Sequence, residues 1–528
     1  MTIKDILKKI SSIFTQYSIS PEEIEFIELN KKFWTSDKNT EKKSEKGILV
    51  EGFLDTPTSI IEKSRLAKAA EDVTKYSSII LVRGLFKKSS NVIPIYESFN
   101  FSNFILWWRN YFNPTIVIPA LISSIYLYLF FRKCKNLINF KKDNVLIGDL
   151  IYDSLIRNIP NSYTIKKLKI ITHSRILFRS MCFYHANKRL LKKNNIRVVV
   201  TSHNVYAEYG MLCRQAHVQG AIVILKDMDV YKIYKPHMNI NEHFLKISRN
   251  KFEKELNKNS FIEEEKYFQQ RIFGLSTQID VKNAYKNKKK YTRYESISLK
   301  KTFDIKKKNI FIMSHAFSDA PHVGEGLLFQ DYYDFLEKTL IYLNKNDKVN
   351  CFVKSHPSSY MWGEKGGVEH IIEKNNLNNI CILPSDYNTS SIIESADVIV
   401  TAKGTAGIEF SCAGIPAITA GMGYYYGFGV CLEPMTINDY YKTLDLSHEI
   451  ERLNQDKINR ALVLLYHSFN NLYHSRVLPT DQIRPGDNYS SLYRKHFKEV
   501  SSKLNAGIPM KDEFYSMVIN DLKDIHFE

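Results

Sequence analysis

Apolar residues along this chain gather in short runs of four to six. Each run ends in a small or polar loop, and helical spacing follows. "GILVEGF" (47–53) and "SSIILVRG" (77–84) read as buried strands around the helical pattern "SIIEKSRLAKAAEDVTKY" (59–76). The alternation resumes at "DNVLIGDLIYDSLIR" (143–157) and at "IRVVVTSHNVYAEYGMLCRQAHVQGAIVILKD" (196–227). It returns in the second half at "KNIFIMSHAF", "VNCFVKSHP", "NNICILPSD" and "ADVIVTAKG". Strands alternating with helices predict two parallel, doubly wound α/β sheets with ligand sites at the carboxyl ends of the strands.

Between the two halves, "KNKKKYTRYESISLKKTFDIKKKN" is polar, basic and without long apolar periodicity. It predicts a first domain over 1–280, a linker over 281–308 and a second domain over 309–450. Residues 451–528 read as helices packing across both domains, with "INRALVLLYHSFNNLYHSR" the strongest stretch. The N-terminus, "MTIKDILKKISSIFTQ", has helical spacing and lacks the continuous apolar core of a secretory signal.

The 528 residues, 44% of them hydrophobic, allow two or three domains with substantial cores. The net charge of +18 suits an anionic membrane face, a negatively charged substrate or nucleic acid. No RNA-binding aromatic signature or zinc-finger spacing accompanies it, so nucleic acid is not an expected partner. Seven cysteines are scattered singly, without metal-ligand spacing, which fits a reducing cytosol. "NFILWWRNYF" leads into "PTIVIPALISSIYLYLFFRKCK", an apolar run of about 17 residues with a basic end. Three readings stand: a buried helix of the first domain, interfacial docking on the inner face of the cytoplasmic membrane, or a short span over 115–131.

The chemistry gathers at three strand ends. In "VIVTAKGTAGIEFSCAG", Gly404 lets backbone approach a ligand closely, and the Thr405 hydroxyl either caps the following helix or donates to a phosphate. Glu409, one turn later, either accepts from ribose hydroxyls or satisfies the helix dipole. "KSHP" places Lys354, Ser355 and His356 beyond a strand that Pro357 stops, and "SHAFSDAPH" adds Ser314, His315, Asp319 and His322. Such donors suit a phosphate leaving group.

Taken in order, "HAFSDAPH…LFQDYYDFLEKTL", "VKSHPSS", "LPSDYNTSSIIESADVIVTAKGTAGIEFSCAGIPAITAGMGYYYGFG" and the earlier "IGDLIYD" resemble bacterial surface carbohydrate and capsule polysaccharide biosynthesis proteins. Those relatives include GT-B transferases of Kdo or related ulosonic acids from CMP-activated donors. The resemblance covers roughly residues 308–445 and, more thinly, 145–230. It implies two Rossmann-like domains facing across a cleft, the C-terminal one holding the nucleotide sugar and the N-terminal one a glycan or lipid-linked glycan acceptor. It also implies phosphate contacts at His356 and Pro357, and at the helix start Thr405 and Ala406. Many relatives carry a Ser-Thr pair where this chain has Gly404 and Thr405, so one hydroxyl donor is missing.

Transfer of this kind needs no cofactor and no metal when His, Lys and backbone N–H groups neutralise the departing phosphate. The one DxD-like string, "KDMDV" with Asp227 and Asp229, lies in the first half. A base or nucleophile from the first domain must then come from Asp149, Asp153, His203, Glu208 or that pair. Rival readings are a glycerol- or ribitol-phosphate transferase using a CDP donor, a nucleotide-sugar epimerase, and a non-catalytic sugar-nucleotide-binding subunit.

Overall fold

β-Branched and aromatic runs become strands here because both faces of each sheet are covered, which favours near-continuous apolar sequence. The computed structural model describes residues 16–35, 45–227, 230–258, 260–276, 279–469, 475–479 and 488–525. The chain divides into two units. The first comprises Met1–Ile151, Leu168–Ile240 and Leu472–Glu528; the second comprises Tyr152–Lys167 and Asn241–Asn471.

In the first unit, β1 (Gly47–Gly52), β2 (Ser77–Val82), β3 (Asn103–Leu106), β6 (Ile196–Thr201), β7 (Ile222–Asp227) and β8 (Val230–Tyr234) form one sheet in the order β3-β2-β1-β6-β7-β8. All neighbours are parallel except β7 and β8. Between β3 and β6, β4 (Lys141–Lys142) and β5 (Val145–Leu146) make a separate two-residue ladder. The strand expected at "DNVLIG" therefore joins neither large sheet. Ile48, Val50, Ile80, Val82, Val198 and Val200 share one core with the C-terminal residues Phe497, Val500, Phe514 and Val518. Arg65, fully buried in the helix Pro57–Thr74, ties that C-terminal segment down by donating to Met510 O (2.8 Å), Ser475 Oγ (2.5 Å) and Asp512.

The second unit is a five-stranded parallel sheet of β9 (Lys308–Met313), β10 (Val349–Lys354), β11 (Ile380–Ile382), β12 (Val398–Thr401) and β13 (Ala417–Thr419), ordered β11-β10-β9-β12-β13. Successive residues point to opposite faces. Ile310, Ile312, Val353 and Val400 pack with Phe335, Leu336 and Ile371 on one face. Phe311, Met313, Phe352 and Ile399 pack with Ile392, Phe410 and Ile415 on the other. Both sheets thus show the Rossmann-like order, with the strand order reversing between β1 and β6 and between β9 and β12. The α/β reading holds.

The boundaries fall elsewhere than the composition indicates. Residues 241–280 belong to the second unit. The basic stretch 281–308 also folds into it: Ile297 enters the core, and Lys289 exchanges backbone hydrogen bonds with Asp386 (2.7 Å) and Asn388 (2.8 Å). Most of its lysines mark a solvated surface rather than a linker, and Lys300 is itself buried, donating to Asn379 Oδ1 (2.6 Å). Of the C-terminal helices, Gln455–Phe469 lies in the second unit, whereas Tyr489–Asn505 and Glu513–Lys523 lie in the first. The helix expected at residues 1–16 falls outside the described residues but for its last position.

Candidate functional site at the switch point of the second sheet

Where β9 and β12 diverge, the loops that follow them meet. His315 comes two residues after β9. Its Nε2 accepts the Lys403 N–H (3.4 Å) and lies 3.2 Å from Thr401 Oγ1, so the ring proton belongs on Nδ1. The imidazole stacks on Tyr332, with centroids 4.0 Å apart and planes at 14°. Tyr332 is held there because Asp331 caps its helix, accepting the Asp334 N–H at 2.7 Å. Burial, then the nearby His356 and Lys403, push His315 down to about 3, which leaves it neutral at physiological pH.

Gly404 makes room for that packing. A Cβ at this position would stand 3.0 Å from His315 Cε1 and 3.1 Å from Thr401 Oγ1. On its other side the Tyr425 hydroxyl donates to Gly404 O (2.8 Å), and a Cβ at Gly407 would meet the same hydroxyl at 2.4 Å. The Lys403 ammonium, almost wholly buried, donates to Val323 O (2.6 Å). Val323 follows His322, whose ring is clasped at both nitrogens: Nδ1 faces Asp153 Oδ1 (2.6 Å) and Nε2 faces Gln330 O (3.0 Å). Both of those partners accept, so the ring satisfies them together only as an imidazolium. Asp153 thereby anchors the loop that positions Lys403.

The other expected donors are distributed unevenly. His356 Nδ1 accepts the Ser358 N–H (3.3 Å), and its ring meets Trp362 edge-on. Ser355 and Pro357 flank it in the same half-buried loop. Lys354 points elsewhere: its ammonium donates to Tyr387 O (2.9 Å), and burial with Lys288 nearby pushes it down to about 8. Thr405 stands at the helix start with no side-chain cap hydrogen bond, and Ala406 opens the helix Ala406–Cys412. Glu409 Oε1 accepts from the buried Arg271, at 3.0 Å from Nε and again from Nη2, so at least that oxygen is committed within the unit.

At the switch point of the first sheet a fully buried carboxylate joins β1 to the loop after β6. Glu51 Oε2 accepts from Lys63 Nζ (3.1 Å), Ser202 N (3.2 Å) and Ser202 Oγ (2.6 Å), while Oε1 accepts from Phe53 N and Leu54 N. His203 comes next in the chain, its ring edge-on to Tyr209. Glu208 is shared by Arg83 (2.6 Å) and Arg179 (3.0 Å). Asp149 is held by Arg214 through two bonds, of 2.6 and 2.7 Å. The carboxylates of Asp227 and Asp229 lie outside the described residues. Among the described residues no group of three His, Cys, Asp or Glu side chains is placed to hold a metal ion.

Sequence reading missed Lys403, Tyr332 and Tyr425. Lys403 directly precedes the glycine of the loop and was legible as a strand-end cation. The two tyrosines carry no local signal, since only the fold brings them to the loop.

Residues 228–443 match the sequence profile described as capsule polysaccharide biosynthesis protein, which is less than half of the chain. A curated relative, the capsule polysaccharide modification protein LipA of Neisseria meningitidis serogroup A, is 26% identical over 88 residues. That alignment covers 17% of this chain and only 12% of the relative. Among solved structures, the KpsC beta Kdo 2,4 transferase of Thermosulfurimonas dismutans aligns at 11% identity and a TM-score of 0.33, over 58% of this chain and 94% of that one. A UDP-GlcNAc 2-epimerase from Neisseria meningitidis aligns at 8% identity and a TM-score of 0.24, over 80% of this chain and 99% of that one. Likeness at these scores does not extend to activity. The matched stretch, residues 228–443, is the one that carries the second sheet and its loops, and over it the chain is similar to capsule polysaccharide biosynthesis proteins.

Proposed function

We propose that the chain is a glycosyltransferase that moves a sugar, an ulosonic acid such as Kdo, from its CMP-activated form to a surface polysaccharide or lipid-linked glycan. One observation carries this reading. His315, His356 and Lys403 converge at the switch point of the second sheet, within the family-matched residues. Departure of CMP from a sugar leaves charge on one phosphate, and fixed donors aimed at that charge lower the barrier without reorganising. Lys403 supplies the cation, the protonated Nδ1 of His315 and the ring of His356 supply neutral donors, and Gly404 keeps the approach narrow. A GT-B transferase asks two Rossmann-like units of one chain, and both are present.

On the acceptor side the reading assigns the base to His203, which follows β6 at the switch point of the first sheet. Asp149 and Glu208 are each already committed to arginine, the one to Arg214 and the other to Arg83 and Arg179. Asp153 acts by positioning, through His322 and Val323.

The test is a thermal-shift series with CMP, CDP, UDP and GDP, followed by product analysis with CMP-Kdo and a glycan acceptor in EDTA. CMP should stabilise most, and turnover should persist under chelation. Stabilisation by CDP alone, with a polyol phosphate in the product, would establish the glycerol- or ribitol-phosphate reading instead. Stabilisation by UDP or GDP and not CMP would overturn the donor assignment.

A further inference from the structure

The helix Pro114–Phe130 of the first unit is apolar on every side yet buried on only one. Ile116, Ala120, Ser124 and Leu127 face inward, and the helix packs along Ile170–Lys193, with Ser123 Oγ 3.1 Å from His185 Nε2. The opposite stripe is Ile118, Leu121, Ile122, Ile125 and Leu129, each half or more exposed. At a helix's 100° per residue these five fall on one face, where a water-facing helix would carry charge. Phe112 and Phe130 are exposed at the two ends of the helix, and Ile170 and Ile171 are exposed beside the connection at Arg132, whose carbonyl accepts the Leu168 N–H (2.9 Å).

Charge around the stripe has a single sign along this segment. No Asp or Glu occurs from Ser98 through Lys142. Arg132, Lys133 and Lys135 are exposed just past one end of the helix. At the other end Arg189 reaches Thr115 Oγ1 (2.5 Å), with Lys192 and Lys193 exposed one turn on. A partner protein or a second copy would require only the apolar stripe. The cationic groups at both ends, and the exposed aromatics Trp108 and Phe112 before the helix, match an interface that is apolar in its interior and anionic at its surface. At about 1.5 Å per residue the helix is about 26 Å long, short of the roughly 30 Å hydrocarbon core, and its inner side is committed to protein. No helix among the described residues is long and apolar enough to cross a membrane.

We propose that the face formed by Ile118, Leu121, Ile122, Ile125 and Leu129 lies in the plane of an anionic leaflet, with its flanking Arg and Lys on the lipid headgroups. This stands apart from the transferase reading, because binding to lipid requires neither donor nor acceptor.

The experiment is co-sedimentation of the full chain with vesicles of phosphatidylcholine alone or mixed with phosphatidylglycerol, at low and high salt. The chain should pellet with the mixed vesicles at low salt and be released by high salt. The exposed-site variant Ile122→Ser/Leu129→Ser, with unchanged melting temperature, should lose at least tenfold in partitioning. Arg132→Gln/Lys133→Gln/Lys135→Gln should lose on the order of tenfold to a hundredfold, and only with the anionic vesicles. As a gain of signal that does not depend on a loss of binding, tryptophan fluorescence of Ile125→Trp should be quenched by bromine-labelled lipid beyond the wild-type level. Failure of the chain to bind mixed vesicles, binding unaffected by Ile122→Ser/Leu129→Ser, or no added quenching at position 125 would each overturn the proposal. Concentration-dependent dimers that the Ile122→Ser/Leu129→Ser variant breaks, without any vesicle binding, would overturn it in favour of a second copy.

Discussion

Neutrality is the property that matters most in His315. Its Nε2 is committed as an acceptor and its ring is stacked on Tyr332, so protonation would break one contact and place a cation beside Lys403. The unfolded chain binds that proton near 6.5, and the folded chain only near 3. The unfolded state therefore holds more protons throughout that window, and stability present above 6.5 is lost as pH falls toward 3. His185, pushed down to about 4 by burial, acts with the same sign. The drop in melting temperature between pH 7 and pH 5 should thus be smaller in His315→Gln than in wild type, and an equal drop would remove His315 from this role. Gly404→Ala tests the same packing from the other side. A methyl 3.0 Å from the ring must displace His315. CMP affinity should weaken by at least about tenfold, or about 1.4 kcal/mol, in a protein whose melting temperature stays within a few degrees of wild type. Unchanged CMP affinity would place the nucleotide elsewhere.

At the scale of elements, the two switch points are built in opposite ways. That of the second sheet gathers histidines, a lysine and a glycine. That of the first is sealed by Glu51, whose carboxyl burial would raise but which Lys63 and Ser202 hold below its ordinary range. Removing one partner of such a pair leaves a charge in the core without its counterion. Glu51→Ala should therefore destabilise the chain by about 3–5 kcal/mol, read as a lower denaturation midpoint in urea. Glu51→Leu/Lys63→Met removes both charges and should recover much of the loss. Equal stability of Glu51→Ala and wild type would mean that the buried pair contributes nothing to holding β1 against the loop after β6.

For the whole molecule, the division into two units makes the location of ligand effects informative. Nucleotide bound as proposed should slow amide hydrogen exchange in the loops after β9, β10 and β12, at 314–331, 355–360 and 402–405, since ordering a local segment raises its protection. The strands β1, β2 and β6 should exchange as before. Protection confined to the first unit would reverse the assignment of donor and acceptor sides.

The sequence by itself determined nearly all the principal parallel strands, because a strand buried on both faces has to be written in uninterrupted apolar residues, and "NIFIM", "CFVK" and "VIVT" are such runs. It also indicated the loops carrying His315, His356 and Gly404, because the chain leaves each strand through a small or polar residue. Short edge elements such as β3 and β8 were not legible, since their residues are half-exposed or mixed in polarity. The boundary at 280 misread a solvated, lysine-rich surface as a linker: composition reports exposure, whereas Val281, Tyr285 and Ile297 show that the segment has a buried side. Only the tertiary structure decided which side chains work together. It gave Glu409 to Arg271, Asp149 to Arg214, Asp153 to His322 and Tyr332 to His315, pairings separated by 65 to 169 residues for the hydrogen-bonded pairs and by 17 for the stacked rings. Charge and hydrogen-bond partners are properties of distance in space, and a linear pattern records distance along the chain.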